Sequence, residues 1–139
     1  TGANTYVGPT VASEGILATG ATGTFGTGSL TVAAGATVTI GNFTSISDTG
    51  DLIFDSGSTI NLSFTGTEVI GSLLDSTTNT YIAPATYTAA QLNDFFHVTT
   101  FTGSGSLQVT AVPEPAAWGL IGLGLAFVSA RSRLRRRRK

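Results

Sequence analysis

The chain has 139 residues and a formal net charge of −1, from 7 basic and 8 acidic residues. All seven bases lie between Arg131 and Lys139, so residues 1–112 hold Glu14, Asp48, Asp51, Asp55, Glu68, Asp75 and Asp94 against no base, a net of −7. A body of that sign repels nucleic acid and anionic lipid headgroups, and the absence of cysteine excludes disulfides and thiolate metal sites.

Methionine is also absent, including at position 1, which predicts that the chain is the C-terminal part of a longer product, with any secretory leader upstream. Threonine (24), glycine (18) and serine (13) dominate. Eight Phe, three Tyr and regular Val, Ile and Leu nevertheless supply apolar surface for a core, and threonine favours strands. The expected organisation is a β-rich repeat region over 1–112 and a separate C-terminal segment over 113–139.

Along the chain, Tyr6 to Val11 and Gly15-Ile16-Leu17 have strand character. Gly28-Ser29-Leu30-Thr31-Val32-Ala33-Ala34-Gly35-Ala36-Thr37-Val38-Thr39-Ile40 then returns 22 residues later as Gly50-Asp51-Leu52-Ile53-Phe54-Asp55-Ser56-Gly57-Ser58-Thr59-Ile60-Asn61-Leu62. Each copy reads as an alternating strand, a glycine turn and a second alternating strand. Period 2 points Leu30/Val32 and Leu52/Phe54 to one face, and Val38/Ile40 and Ile60/Leu62/Phe64 likewise. Gly15-Ile16-Leu17 and Gly105-Ser106-Leu107-Gln108-Val109 read as degenerate copies of the first strand. This period suits one turn of a parallel β-solenoid, and hairpins at the same spacing give the alternative, a small antiparallel β-sandwich.

A short helix is expected near 88–96, where Thr88-Ala89-Ala90-Gln91 forms a capping box ahead of Leu92. Strand character resumes over Val98–Phe101 and Ser106–Val112, a pair expected to close the last repeat or to cap its end.

Catalytic candidates are sparse, and no enzyme, metal or cofactor is expected. His97 is the single histidine and, following Phe95-Phe96, reads as a packing or surface residue. Asp48, Asp51 and Asp55 are oxygen ligands close in sequence, but they lack the spacing of a calcium loop and read as turn residues. Asn42-Phe43-Thr44 and Asn61-Leu62-Ser63 match the N-glycosylation triplet, and the many Thr and Ser hydroxyls are candidates for O-linked sugar. Tyr6, Tyr81 and Tyr87 are candidate faces for stacking on a glycan.

The C-terminus combines three features in order. Pro113 and Pro115 make an extended, accessible connector around Glu114. Residues 116–130 then run without a charge, with Trp118, Leu120, Ile121, Leu123, Leu125, Phe127 and Val128 as their apolar body. At 1.5 Å per residue such a helix covers roughly 22 Å against a hydrocarbon core of ~30 Å, a gap closed by snorkelling arginines and local thinning. Trp118 stands where an interfacial anchor belongs, and Arg131, Arg133, Arg135, Arg136, Arg137, Arg138 and Lys139 stay in the cytoplasm by the positive-inside rule. Gly122 and Ala126, four apart, offer a small-residue face for helix pairing.

Two resemblances follow from these residues. The strand patterns over 1–65 resemble the repeats of autotransporter passengers, which are secreted β-helical surface proteins. Val112-Pro113-Glu114-Pro115, Trp118 to Leu125 and Arg131 to Lys139 resemble the PEP-CTERM sorting signal of Gram-negative-type bacteria that make extracellular polysaccharide. That resemblance implies recognition and cleavage near Pro-Glu-Pro by a membrane transpeptidase-like enzyme, the exosortase, after transient anchoring in the inner membrane. The upstream part is then released or attached at the surface. The expected function is that of an exported structural or adhesin-like protein of the cell surface or extracellular matrix, in contact with extracellular polysaccharide and with no nucleic-acid partner. An anchored glycan-binding module and the end of a larger solenoid polysaccharide-active enzyme are the alternatives.

Overall fold

Alternation of buried and more exposed side chains shapes most strands in the computed structural model, which describes residues 2–113 and is mostly β with one short helix. In chain order the strands are β1 (Thr10–Ala12), β2 (Ile16–Ala18), β3 (Leu30–Val32), β4 (Thr37–Ile40), β5 (Leu52–Phe54), β6 (Thr59–Leu62), β7 (Thr67–Ile70), β8 (Leu73–Asp75), β9 (Thr80–Tyr81) and β10 (Ala85–Thr88). Helix α1 (Ala89–Phe96), β11 (Phe101–Gly103) and β12 (Ser106–Val109) complete the body.

The strands form three sheets, ordered β1-β3-β5-β8-β9, β2-β4-β6-β11 and β10-β12-β7. Pairing is parallel except at β8–β9 and β10–β12, so the sheets are mixed overall. Leu30 stands beside Leu52 and Thr37 beside Thr59, the 22-residue shift expressed as sheet register. The two strands of each copy belong to different sheets and do not form the hairpins that an antiparallel sandwich requires.

Register and burial together define columns of side chains. Leu30, Leu52 and Leu73 make one column, and Leu17, Val38, Ile60 and Phe101 another. Val32 and Phe54 continue a column that starts at Ala12 and ends on Asp75. Apart from half-buried Leu17, these side chains are buried, as period 2 requires of the inward set. Asp75 is tolerated at the end of its column because Thr77 N–H (2.9 Å) and the Thr78 hydroxyl (2.8 Å) donate to its carboxylate.

The glycine that opens each copy has a steric cause. A Cβ on Gly28 would lie 2.3 Å from the Gly8 carbonyl oxygen, one on Gly50 2.9 Å from the Gly28 oxygen, and one on Gly71 2.8 Å from the Thr49 oxygen. Only glycine lets successive copies approach this closely at that corner.

Two degenerate copies lie elsewhere than expected. Ile16–Ala18 pairs with β4 and so occupies the place of a second strand, while Thr10–Ala12 takes the first-strand place beside β3. The inward residue decides this, since Leu17 meets Val38 and Ala12 meets Val32. Ser106–Val109 joins the third sheet, parallel to β7 and antiparallel to β10. The strand expected over Val98–Phe101 begins only at Phe101, because His97 ends the helix in the left-handed region (φ 56°) and the chain turns before pairing with β6.

Helix α1 falls where expected, with both halves of the capping box formed between Thr88 and Gln91. It buries Ala89, Leu92 and Phe96, and the Phe96 ring meets Phe54 edge-on at 5.1 Å. No helix among the described residues is long and apolar enough to cross a membrane. The expected span over 116–130 lies outside the described residues.

Candidate functional site: the exit from the β body

The last strand determines where the body stops. β12 is held on both sides, by β7 and by β10. Thr110 N–H donates to the carbonyls of Ile70 and Gly71 (both 3.1 Å), and its hydroxyl donates to Ile70 O (2.8 Å). Ala111 N–H donates to Gly71 O at 2.8 Å. Beyond it, Val112 and Pro113 are exposed and belong to no element. The chain therefore leaves a hydrogen-bonded sheet within one residue and enters an open connector at Pro113. Glu114, Pro115, the span residues Trp118 to Val128 and the basic cluster Arg131 to Lys139 lie outside the described residues.

The body's other candidates are scattered. Tyr6 lies just ahead of β1, at one edge of the first sheet, and Tyr81 on β9, at the opposite edge, four strand spacings or roughly 19 Å away. Tyr87 packs against the core and donates its hydroxyl to Ala83 O at 2.9 Å. The three rings form no common platform. Asp51 accepts from Ser72 N–H (3.0 Å) and the Ser72 hydroxyl (2.7 Å), Asp55 accepts from the Ser76 hydroxyl, and Asp48 is exposed. Asp51 and Asp55 thereby tie one copy to the next. Among the described residues, no group of three or more His, Cys, Asp or Glu is arranged to hold a metal ion. His97 lines an open groove of about 380 Å³ with Ser56, Ser58 and Thr99.

Asn42 serves the fold. Its amide nitrogen donates to Gly20 O and Gly23 O, both at 2.8 Å, and its oxygen accepts from Thr44 N–H (2.9 Å) and the Thr44 hydroxyl (2.8 Å). With the side chain buried and every polar atom committed, the Asn42-Phe43-Thr44 triplet is closed to glycosylation in the folded body. Asn61 is half-buried in β6.

Glu68 is the residue that sequence reasoning did not single out. It sits at an inward position of β7 and has no exposed surface. One carboxylate oxygen accepts from Ile46 N–H, standing in for a strand carbonyl where the 41–50 loop departs from sheet geometry; the other oxygen has no partner. Burial pushes its pKa up to about 7; the backbone N–H groups of Ile46 and Ser45 oppose that rise, and the charge of Asp48 adds to it. Its one signal in the sequence is a carboxylate in phase with Ile70 on an alternating strand.

Neither the curated proteins nor the solved structures include a match to this chain. A family model does match, and it begins at the residue that makes the body's last backbone anchor. The PEP-CTERM protein-sorting motif occupies residues 111–138, which implies an exosortase-targeted protein exported through the membrane to the cell surface or beyond.

Proposed function

We propose that this chain is a structural, adhesin-like protein of the cell surface or extracellular matrix, with no catalytic role, whose β body is cargo for the sorting motif. The body is a short β-solenoid in which each copy of 20–22 residues stacks on the next. Register supports that reading: Leu30 beside Leu52, Leu52 beside Leu73, Thr37 beside Thr59 and Ile16 beside Thr37 are all parallel. Stacked copies are a scaffold, and a scaffold with scattered aromatics and structural carboxylates suits a matrix role.

In this account residues 1–112 are the exported part and 113–139 the signal. Pro113, Glu114 and Pro115 present the cleavage region, residues 116–130 hold the chain transiently in the inner membrane, and the Arg131–Lys139 cluster stays in the cytoplasm. The observation that carries this reading is the coincidence of two boundaries: the last sheet anchor, Ala111 N–H to Gly71 O, and the first residue of the motif. A folded body ending there delivers its C-terminus to a membrane enzyme without unfolding.

The test is protease protection of the chain expressed with and without the sorting enzyme. Residues 1–112 are expected to be accessible only from outside the inner membrane. Glu114→Ala is expected to leave the body outside yet held at the membrane. A body protected on the cytoplasmic side would refute the proposal.

A further inference from the structure

The 22-residue repeat contains one exchange that the fold does not require. The inward position just ahead of the second strand is Ala36 in one copy and Ser58 in the next, neighbours through the pairing of Thr37 with Thr59. Both are buried, at 1% and 4% exposure. The Ser58 hydroxyl is shut away from bulk solvent and has no hydrogen-bond partner among the described residues. A buried hydroxyl left unpaired costs stability, and Ala36 shows that this position folds without one.

Ser58 is also one of the residues lining the groove of about 380 Å³ that holds His97. Two segments make its walls, the turn at 56–58 and the stretch 97–100 between α1 and β11. Both are fixed by hydrogen bonds. Ser56 N–H donates to the Thr77 hydroxyl (2.7 Å), and Gly57 O accepts from Gly35 N–H (3.1 Å). On the other wall, Val98 N–H donates to Asn93 O (3.0 Å) and Thr100 O accepts from Ile60 N–H (2.8 Å). The Asn93 side chain grips the next residue, its nitrogen donating to Phe101 O (2.8 Å) and its oxygen accepting from Phe101 N–H (2.9 Å). His97 itself ends the helix at φ 56°, a conformation that usually falls to glycine. The groove is therefore formed in advance of any ligand.

Its lining selects the ligand. Ser56, Ser58, Thr99 and Thr100 bring hydroxyls, His97 an imidazole and Val98 an apolar side chain. No lining residue is a carboxylate, lysine or arginine. An anion would meet no fixed counter-charge there, and a divalent cation no carboxylate. Hydroxyls donate and accept alike, which suits a neutral polyhydroxylated molecule. The volume lies within the range of small-molecule sites, about 300–1,000 Å³.

We propose that this groove binds one neutral sugar residue of an extracellular polysaccharide, with the Ser58 hydroxyl and the His97 imidazole as its polar contacts. A sugar hydroxyl completes the bond that the fold leaves open at Ser58. The polysaccharide as source rests on the matrix reading above, whereas the sugar chemistry rests on the groove alone.

The chain has one histidine, so the His97 imidazole gives an unassisted NMR assignment. The full 139-residue protein is titrated at fixed pH and ionic strength with glucose, galactose, mannose and N-acetylglucosamine, and separately with inorganic phosphate and calcium. The expected result is a saturable, millimolar shift of the imidazole signal with at least one sugar and none with phosphate or calcium. Ser58→Ala installs the residue of the preceding copy, so it should unfold at no lower urea concentration than the native chain, yet bind the sugar about tenfold more weakly. His97→Gly keeps the left-handed helix end and should abolish saturation transfer to the sugar. No shift with any of the sugars overturns the proposal, as does an equal shift with phosphate or calcium. So does unchanged affinity in folded Ser58→Ala, or a Ser58→Ala chain less stable than the native one, which would make the hydroxyl a structural group. Binding is read on the unprocessed chain, so its failure leaves protease protection and sorting untouched.

Discussion

Replacing Glu68 with glutamine removes a buried ionisable group while keeping an oxygen for Ile46 N–H. In the folded chain the Glu68 pKa rises from 4.5 to about 7, so the fold holds the proton more tightly than the unfolded chain does. A carboxyl shifted upward contributes its full stability below the unfolded value of 4.5 and loses it progressively as pH rises towards and through 7. At 1.36 kcal/mol per pKa unit, the loss between pH 4 and pH 8 is about 3 kcal/mol, a large part of the stability of a small domain. Because Glu68 has no exposed surface, solvent screening discounts this little. The assay is urea unfolding followed by circular dichroism at half-unit steps from pH 4 to pH 8, for the native chain and Glu68→Gln. The other carboxylates titrate in both proteins and cancel in the difference. The stability of Glu68→Gln relative to the native chain should rise by about 3 kcal/mol across that range, most steeply between pH 4.5 and 7. A difference that stays constant with pH would refute the raised pKa of Glu68 itself, and with it the argument from burial.

Other predictions concern the joints between copies. Asn42→Ala removes four hydrogen bonds, two of them to the Gly20 and Gly23 carbonyls, so thermal unfolding should show a loss of about 2–4 kcal/mol. Gly50→Val forces a side chain against the Gly28 carbonyl oxygen and should cost more than Asn42→Ala, with loss of the cooperative β signal in circular dichroism. Phe54→Ala opens a cavity beneath Phe96 and Phe101 and should cost about 3–5 kcal/mol by urea unfolding. Asn93→Ala frees the backbone of Phe101 at the edge of β11, and hydrogen exchange at Phe101 should rise well before global unfolding.

What the sequence made legible was local and repeated. Leu30, Val32, Leu52 and Phe54 were readable as an inward set because the same alternation occurs twice in 35 residues with the same glycine ahead of it. The helix was readable because Thr88 and Gln91 cap it within one turn. The sorting motif was readable because it is linear, its information lying in the order of prolines, apolar run and arginines rather than in tertiary contacts. Placement of the weak copies was not readable. Ile16-Leu17 resembles Leu30-Thr31 in composition, but which strand it pairs with depends on Leu17 reaching Val38 across the stack. Glu68 was hidden for a similar reason, since its hydrogen-bond donor, Ile46, lies 22 residues away and belongs to a loop rather than a strand. The closing role of Asn93 depends on a helix folding back over β11, a contact that no local pattern announces.

The account depends most on the exit at Ala111 being the junction between a delivered body and a discarded address. Intact-mass spectrometry of the protein recovered from a host that carries the sorting enzyme tests this directly. The predicted result is a C-terminus close to Pro113, Glu114 and Pro115, with the span and basic cluster gone; a recovered protein that retains residues 116–139 through to Lys139 would contradict it.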